Sequence, residues 1–189
     1  GSMTMRKALA MSSNTIAVKV AETLGNSYND SIDVMLDYLK NFGLSDLKDG
    51  PGGEDRKFSA LTLGGMTKGV SPLDMAAAYG TLANGGIYVE PITFTTVESS
   101  DGQVLIQNTP SEHKVVEPEI AYVLTDMMKA VITEGTGRAA SLGDMPVAGK
   151  TGTTNGNKDA WFVGYTPYYV GSTYIGDDLS LIHISEPTR

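Results

Sequence analysis

Residues 71–86, SPLDMAAAYGTLANGG, carry both the start and the stop of a helix. Ser71 can cap it, Pro72 suits the first turn, and Asp74 lies where the helix dipole favours negative charge. Asn84-Gly85-Gly86 ends it. A helix fixed at both ends by its own residues restricts what the flanking chain can become. Upstream, MTMRKALAMSSNTIAVKVAETLG spaces Met5, Leu9, Ile16, Val20 and Leu24 at helical intervals and breaks them with Ser12-Ser13-Asn14. Those three polar types bond backbone groups in competition with a helix interior. The pattern predicts two short helices joined by a polar corner and ended by Gly25.

SIDVMLDYLKNFG predicts an amphipathic helix with Ile32, Met35, Leu36 and Leu39 on one face and Gly43 as its stop. Asp46 to Phe58 reads as a polar loop. ITFTTVESSDGQVLIQN alternates around Asp101-Gly102 and predicts a β-hairpin. EPEIAYVLTDMMKAVITEGTG predicts a long amphipathic helix closed by Gly135 and Gly137. After it, MPVAGKTGTT and AWFVGYTPYYVGSTYIG are strand-like runs broken by turns. Helices first and antiparallel strands later predict an α+β fold.

Composition narrows the chemistry. At 189 residues with 41% hydrophobic and 19% charged side chains, the chain can form one domain with a core. No apolar run is long enough for a transmembrane helix. The formal net charge of −8 and the absence of a basic stripe exclude nucleic acid as the expected partner. Without cysteine there is no disulfide or thiolate metal site, a state compatible with cytoplasm and extracytoplasmic space alike. With His113 and His183 as its two histidines, the chain is not expected to hold a metal or a histidine-assisted serine triad, and no cofactor is expected. Hydrolytic or acyl-transfer chemistry would have to use lysine, serine or carboxylates.

Two polar clusters could serve such chemistry. Lys150-Thr151-Gly152-Thr153 offers an ammonium, two hydroxyls and a glycine that lets a ligand approach closely, a set suited to a carboxylate beside a reacting carbonyl. Read alone, it is more readily a solvated strand. Ser12-Ser13-Asn14 could aim a hydroxyl and a carboxamide into a cleft; read alone, it is more readily a helix cap. A phosphate-binding loop at Gly149-Lys150-Thr151 is excluded, because Asp144 stands where the first glycine is required.

In combination these clusters mean more. ALAMSSNTIAV, SPLDMAAAYGTLANGGIYVEP, GTGRAA and GKTGTTNGNKDAWFVGYTP, in this order, resemble the transpeptidase domain of high-molecular-weight penicillin-binding proteins, most closely the bifunctional class. The resemblance runs from about Thr4 to Asp178 and implies part of the α+β fold shared with serine β-lactamases. It implies that Ser12 takes part in proton transfer and that Asn14 hydrogen-bonds the amide of the acyl donor. Lys150, Thr151 and Thr153 would hold the terminal carboxylate of a D-Ala-D-Ala stem peptide or of a β-lactam, with Gly152 among the binding residues. The Thr153 backbone N–H would form half of an oxyanion hole. Gly135-Thr136-Gly137 takes a structural role near the cleft, and Trp161 and Phe162 belong to core and cleft wall. The parent protein is expected outside the cytoplasmic membrane and anchored to it.

The family's third motif, Ser-x-x-Lys, holds the nucleophile and lies upstream of Ser-x-Asn; nothing before Ser12 matches it. Ser45–Lys48 and Ser111–Lys114 have the spacing but stand in polar surroundings and on the wrong side of Ser12. The expectation is therefore a partial transpeptidase domain at 4–178, inactive alone, after a cloning remnant at 1–3. Residues 179–189, LSLIHISEPTR, match translated sequencing-adapter read-through and are expected to carry no site. A β-lactam-sensing or β-lactamase-like domain and a non-catalytic interaction module remain alternatives. Exposed apolar surface and strand edges predict self-association or strand exchange.

Overall fold

A computed structural model of the chain describes residues 2–50, 52–154 and 159–176. The adapter-like segment at 179–189 lies outside the described residues. Among the described residues six α-helices come in chain order: α1 (Met5–Ala10), α2 (Asn14–Ala21), α3 (Tyr28–Asn41), α4 (Phe58–Leu63), α5 (Pro72–Ala83) and α6 (Pro118–Thr133). Short strands β1 (Ile87–Val89), β2 (Thr96–Glu98), β3 (Val104–Gln107) and β4 (Glu112–Lys114) stand between α5 and α6. The chain then enters β5 (Ala148–Thr153), β6 (Asp159–Tyr165) and β7 (Val170–Gly176), an antiparallel sheet in the order β5-β6-β7. The α+β class expected from the order of helix and strand signals is the observed one.

Helix ends form where the sequence placed their signals. Ser71 Oγ accepts from Asp74 N at 3.1 Å, and the Asp74 carboxylate accepts in return from the Ser71 backbone N–H, a complete capping box with Pro72 in the first turn. Thr4 Oγ1 accepts from Lys7 N at the start of α1 and Ser27 Oγ accepts from Asp30 N at the start of α3, single side-chain caps without the reciprocal bond. The polar corner at 12–14 does separate two short helices, although α2 stops at Ala21, before Gly25. Three elements, α4, β1 and β4, went unanticipated. Phe58 opens α4 instead of closing the loop, since Phe58 and Leu61 find apolar partners on α3. β1 and β4 pair antiparallel around the predicted β2–β3 hairpin. At three residues each, they are too short for alternation to mark them.

Two apolar clusters hold the chain together. In one, Leu82 of α5 and Ala121 and Met128 of α6 meet Ala148 of β5 and Tyr165 of β6. The other joins Ile32 and Leu36 of α3 to Leu61 of α4. Opposed residues of an antiparallel ladder share a face, so Ala148, Lys150 and Gly152 lie on the same side as Tyr165, Val163 and Trp161. That side is the one packed on α5 and α6. Lys150 is therefore placed at the end of the core face, where α1 approaches α6. Two ion pairs, Arg6–Asp126 and Lys7–Glu134, also tie α1 to α6.

Candidate active site

The corner between α1 and α2 is a helix stop with a definite geometry. Ser13 N–H bonds Ala8 O at 2.9 Å and Ser12 N–H bonds Leu9 O at 3.1 Å, the paired closure of a Schellman motif. Ser12 occupies the left-handed position of that motif at φ 53°, a place that ordinarily favours glycine. Among the described residues it is the one non-glycine with positive φ. The turn exposes the Ser12 side chain and starts α2 at Asn14, which is also exposed.

From the other side, β5 delivers Lys150. Its ammonium donates to Ser12 Oγ at 2.7 Å and to the Thr151 carbonyl at 2.8 Å. Burial pushes the Lys150 ammonium below its ordinary pKa, because the charged form loses water. Among the described residues no carboxylate forms an ion pair with it. Thr154 N–H donates to Asp159 O across the ladder at 3.1 Å. By the alternation of antiparallel bonding, the neighbouring Thr153 N–H then points away from β6, toward the open edge of β5. A Cβ on Gly152 would meet the Trp161 Cβ at 3.2 Å, so glycine allows β5 and β6 to pair closely here. Trp161 itself rests on Tyr174, ring centroids 4.8 Å apart.

Ser12, Asn14, Lys150, Thr151, Gly152 and Thr153 line one cavity of ≈ 540 Å³. The rest of its lining is largely apolar and includes Leu9, Ile16, Val20, Leu61 and Leu124. A separate cavity of ≈ 530 Å³ at the start of β5, lined by Tyr122, Thr125 and Tyr165 among others, contains none of the predicted site residues. Among the described residues no group of histidine or carboxylate side chains could hold a metal ion.

The two stray Ser-x-x-Lys spacings lie elsewhere. Lys48 donates to Glu54 at 2.8 Å, and that bond and charge raise its pKa, the wrong direction for a base. Lys114 pairs with Glu117 at 2.7 Å, and Ser111 Oγ donates to Glu90 at 2.6 Å. Neither serine lines the cavity.

Sequence reasoning understated Thr136. Its hydroxyl oxygen lies 2.6 Å from that of Thr151, and its N–H donates to Ala10 O at 3.1 Å. The visible signal was the Gly-Thr-Gly turn after α6; its contact with both walls is a tertiary fact.

A three-stranded antiparallel sheet packed on two helices makes the mixed α+β fold, with an incomplete sheet, that the transpeptidase resemblance implied. The sequence profile of the penicillin binding protein transpeptidase domain matches residues 1–177. Penicillin-binding protein 1A of Clostridium acetobutylicum is 38% identical over 179 residues, covering 94% of this chain and 21% of the relative. The D,D-transpeptidase domain of a peptidoglycan glycosyltransferase from Eggerthella lenta superposes with a TM-score of 0.76 at 26% identity, covering 94% of this chain and 49% of that one. Penicillin-binding protein 1A from Haemophilus influenzae gives 0.74 at 26% identity, with 95% and 30% covered. The chain belongs to the penicillin-binding protein transpeptidase family. It spans about a fifth of the length of the curated relatives it matches.

Proposed function

We propose that the cavity between the α1–α2 corner and β5 is the carboxylate-binding and proton-transfer half of a peptidoglycan D,D-transpeptidase site. The observation that carries this reading is the 2.7 Å contact between Lys150 Nζ and Ser12 Oγ inside a cavity that also holds Asn14, Thr151 and Thr153. An ammonium beside two threonine hydroxyls suits the terminal carboxylate of a D-Ala-D-Ala stem peptide, or the matching carboxylate of a β-lactam. Asn14 would hydrogen-bond the acyl donor's amide. The outward Thr153 N–H would stabilise oxyanion charge as a nucleophile adds to the scissile carbonyl.

The reaction implied is acyl transfer. A serine oxygen adds to the penultimate D-Ala carbonyl, its proton passes by way of the Ser12–Lys150 pair to the departing D-Ala amine, and the serine ester is taken by an amine of a neighbouring stem. The serine and lysine of the attacking motif are not among this chain's site residues. The apolar part of the cavity lining is where a helix bearing them would seat. This chain therefore binds stem-peptide carboxylates without acylating itself, and the parent protein acts outside the cytoplasmic membrane. Among the described residues no helix is long and apolar enough to cross a membrane.

The test is intact-mass measurement after incubation with a fluorescent penicillin, together with NMR titration by N-acetyl-D-Ala-D-Ala. The expected result is no covalent adduct and shifts confined to residues around 12–14, 136 and 150–153. An adduct on Ser45 or Ser111, or shifts elsewhere, overturns it.

A further inference from the structure

Thr136 does not line the cavity, yet it touches both of its walls. Its N–H bonds Ala10 O, at the end of the helix whose stop displays Ser12. Its hydroxyl meets the Thr151 hydroxyl at 2.6 Å. Gly135 makes the first contact possible, since a Cβ there would lie 2.3 Å from Ala10 O. The contacts close a ring: Ala10 to Thr136, Thr136 to Thr151, Thr151 to Lys150 in β5, and Lys150 to Ser12 two residues beyond Ala10.

A threonine hydroxyl has one proton. Thr151 can offer its proton to a ligand carboxylate while keeping the short contact only if Thr136 donates to Thr151 Oγ1. If Thr151 donates to Thr136 instead, its proton is withdrawn from the cleft. The direction of this single bond thus sets whether the carboxylate wall has one hydroxyl donor more or fewer. Two hydroxyls in series also polarise one another, so the ligand bond is strengthened when Thr136 is the donor.

We propose that Thr136 is a positioning residue for carboxylate recognition, donating to Thr151 so that the Thr151 proton points at the ligand. This rests on the carboxylate-wall reading of the site given above. Thr136 makes no ligand contact of its own, and its effect is confined to ligands that end in a carboxylate.

The experiment compares binding of N-acetyl-D-Ala-D-Ala with its C-terminal amide to the full chain by NMR titration, for wild type, T136V, T136S, T151V and the T136V/T151V pair. Wild type should prefer the acid. T136V should lose roughly five- to tenfold on the acid, the scale of one ordinary net hydrogen bond, and leave the amide unchanged. T136S should bind like wild type, and the double variant should lose no more than T151V alone. Equal weakening of acid and amide, full additivity in the double variant, or an unaltered acid affinity in T136V overturns the proposal. Should T136V fail to fold, the gap between T136S and T151V decides in its place: a T136S that binds the acid no better than T151V overturns it. A wild-type chain that does not distinguish acid from amide overturns the carboxylate-wall reading itself, before any substitution is made.

Discussion

The Lys150 ammonium donates to the Ser12 hydroxyl at 2.7 Å across 138 positions of sequence. Neither residue is held there by the other. Ser12 is presented by the stop of α1, and Lys150 by the register of β5 on β6. The contact joins two independently built walls.

The first prediction concerns that lysine. Burial lowers its pKa below 10.5, so between the folded pKa and 10.5 the unfolded chain binds more protons. Lys150 therefore weakens the fold while charged, and stability rises as pH climbs through that window. Lys150→Met should remove this rise, and its stability relative to wild type should shrink toward pH 10.5. Ser12→Ala removes an acceptor of the charged form and should push the Lys150 midpoint lower still. Lysine 13Cε NMR titration reads both; a midpoint at or above 10.5 in wild type would contradict them.

Asp55 is a buried carboxylate that pins the loop before α4. One oxygen accepts from Thr67 N and Oγ1, each at 2.6 Å, and the other accepts from Lys48 N at 2.7 Å. Asp55→Asn must set an amide N–H₂ against one of these donors, which should cost about 2 kcal/mol in urea unfolding. Those bonds, the Thr67 hydroxyl first, hold the carboxyl below its usual pKa. Its contribution to stability should be complete above the unfolded value of 3.8 and be lost as pH falls through the folded pKa. An asparagine variant with unchanged stability and the same acid profile would show that the carboxylate is not the pin.

Gly135→Ala places a methyl against the Ala10 carbonyl, and backbone cannot swing aside as a side chain can. The expected loss is about 2 kcal/mol, the scale of overpacking a closed site. Ser12 and Thr151 amide shifts should move with it. A variant of wild-type stability would mean that α1 yields at its end without consequence.

The β2–β3 hairpin exposes Val104, Leu105 and Ile106 in sequence, on both faces of a two-stranded ladder. Such a ribbon is a site for self-association. Leu105→Lys should lower the apparent mass at high concentration by light scattering and leave the melting temperature within about 1 °C, as for a surface substitution. Unaltered association would move the contact elsewhere.

Much of this was legible in the chain. Ser71 and Pro72 announce α5, and Asp101-Gly102 announces the hairpin, because caps and turns are local chemistry. The site blocks could be ordered by resemblance, and the cavity gathers all six of the residues so named. What could not be read depends on distance in space. α4 exists because Phe58 and Leu61 find α3, and β1 and β4 exist because they find each other. Thr136 looked structural because nothing near it in sequence discloses the Thr151 hydroxyl or the Ala10 carbonyl.

One residue sets stability and chemistry at odds. The left-handed position at the end of α1 would be relieved by glycine, worth roughly 1 kcal/mol at such a site. Ser12→Gly should accordingly melt higher than wild type, and it would leave Lys150 without the hydroxyl it reaches. Selecting this chain for heat resistance alone would thus tend to erase the hydroxyl that Lys150 reaches, so a stabilised variant must be screened for ligand binding at every round.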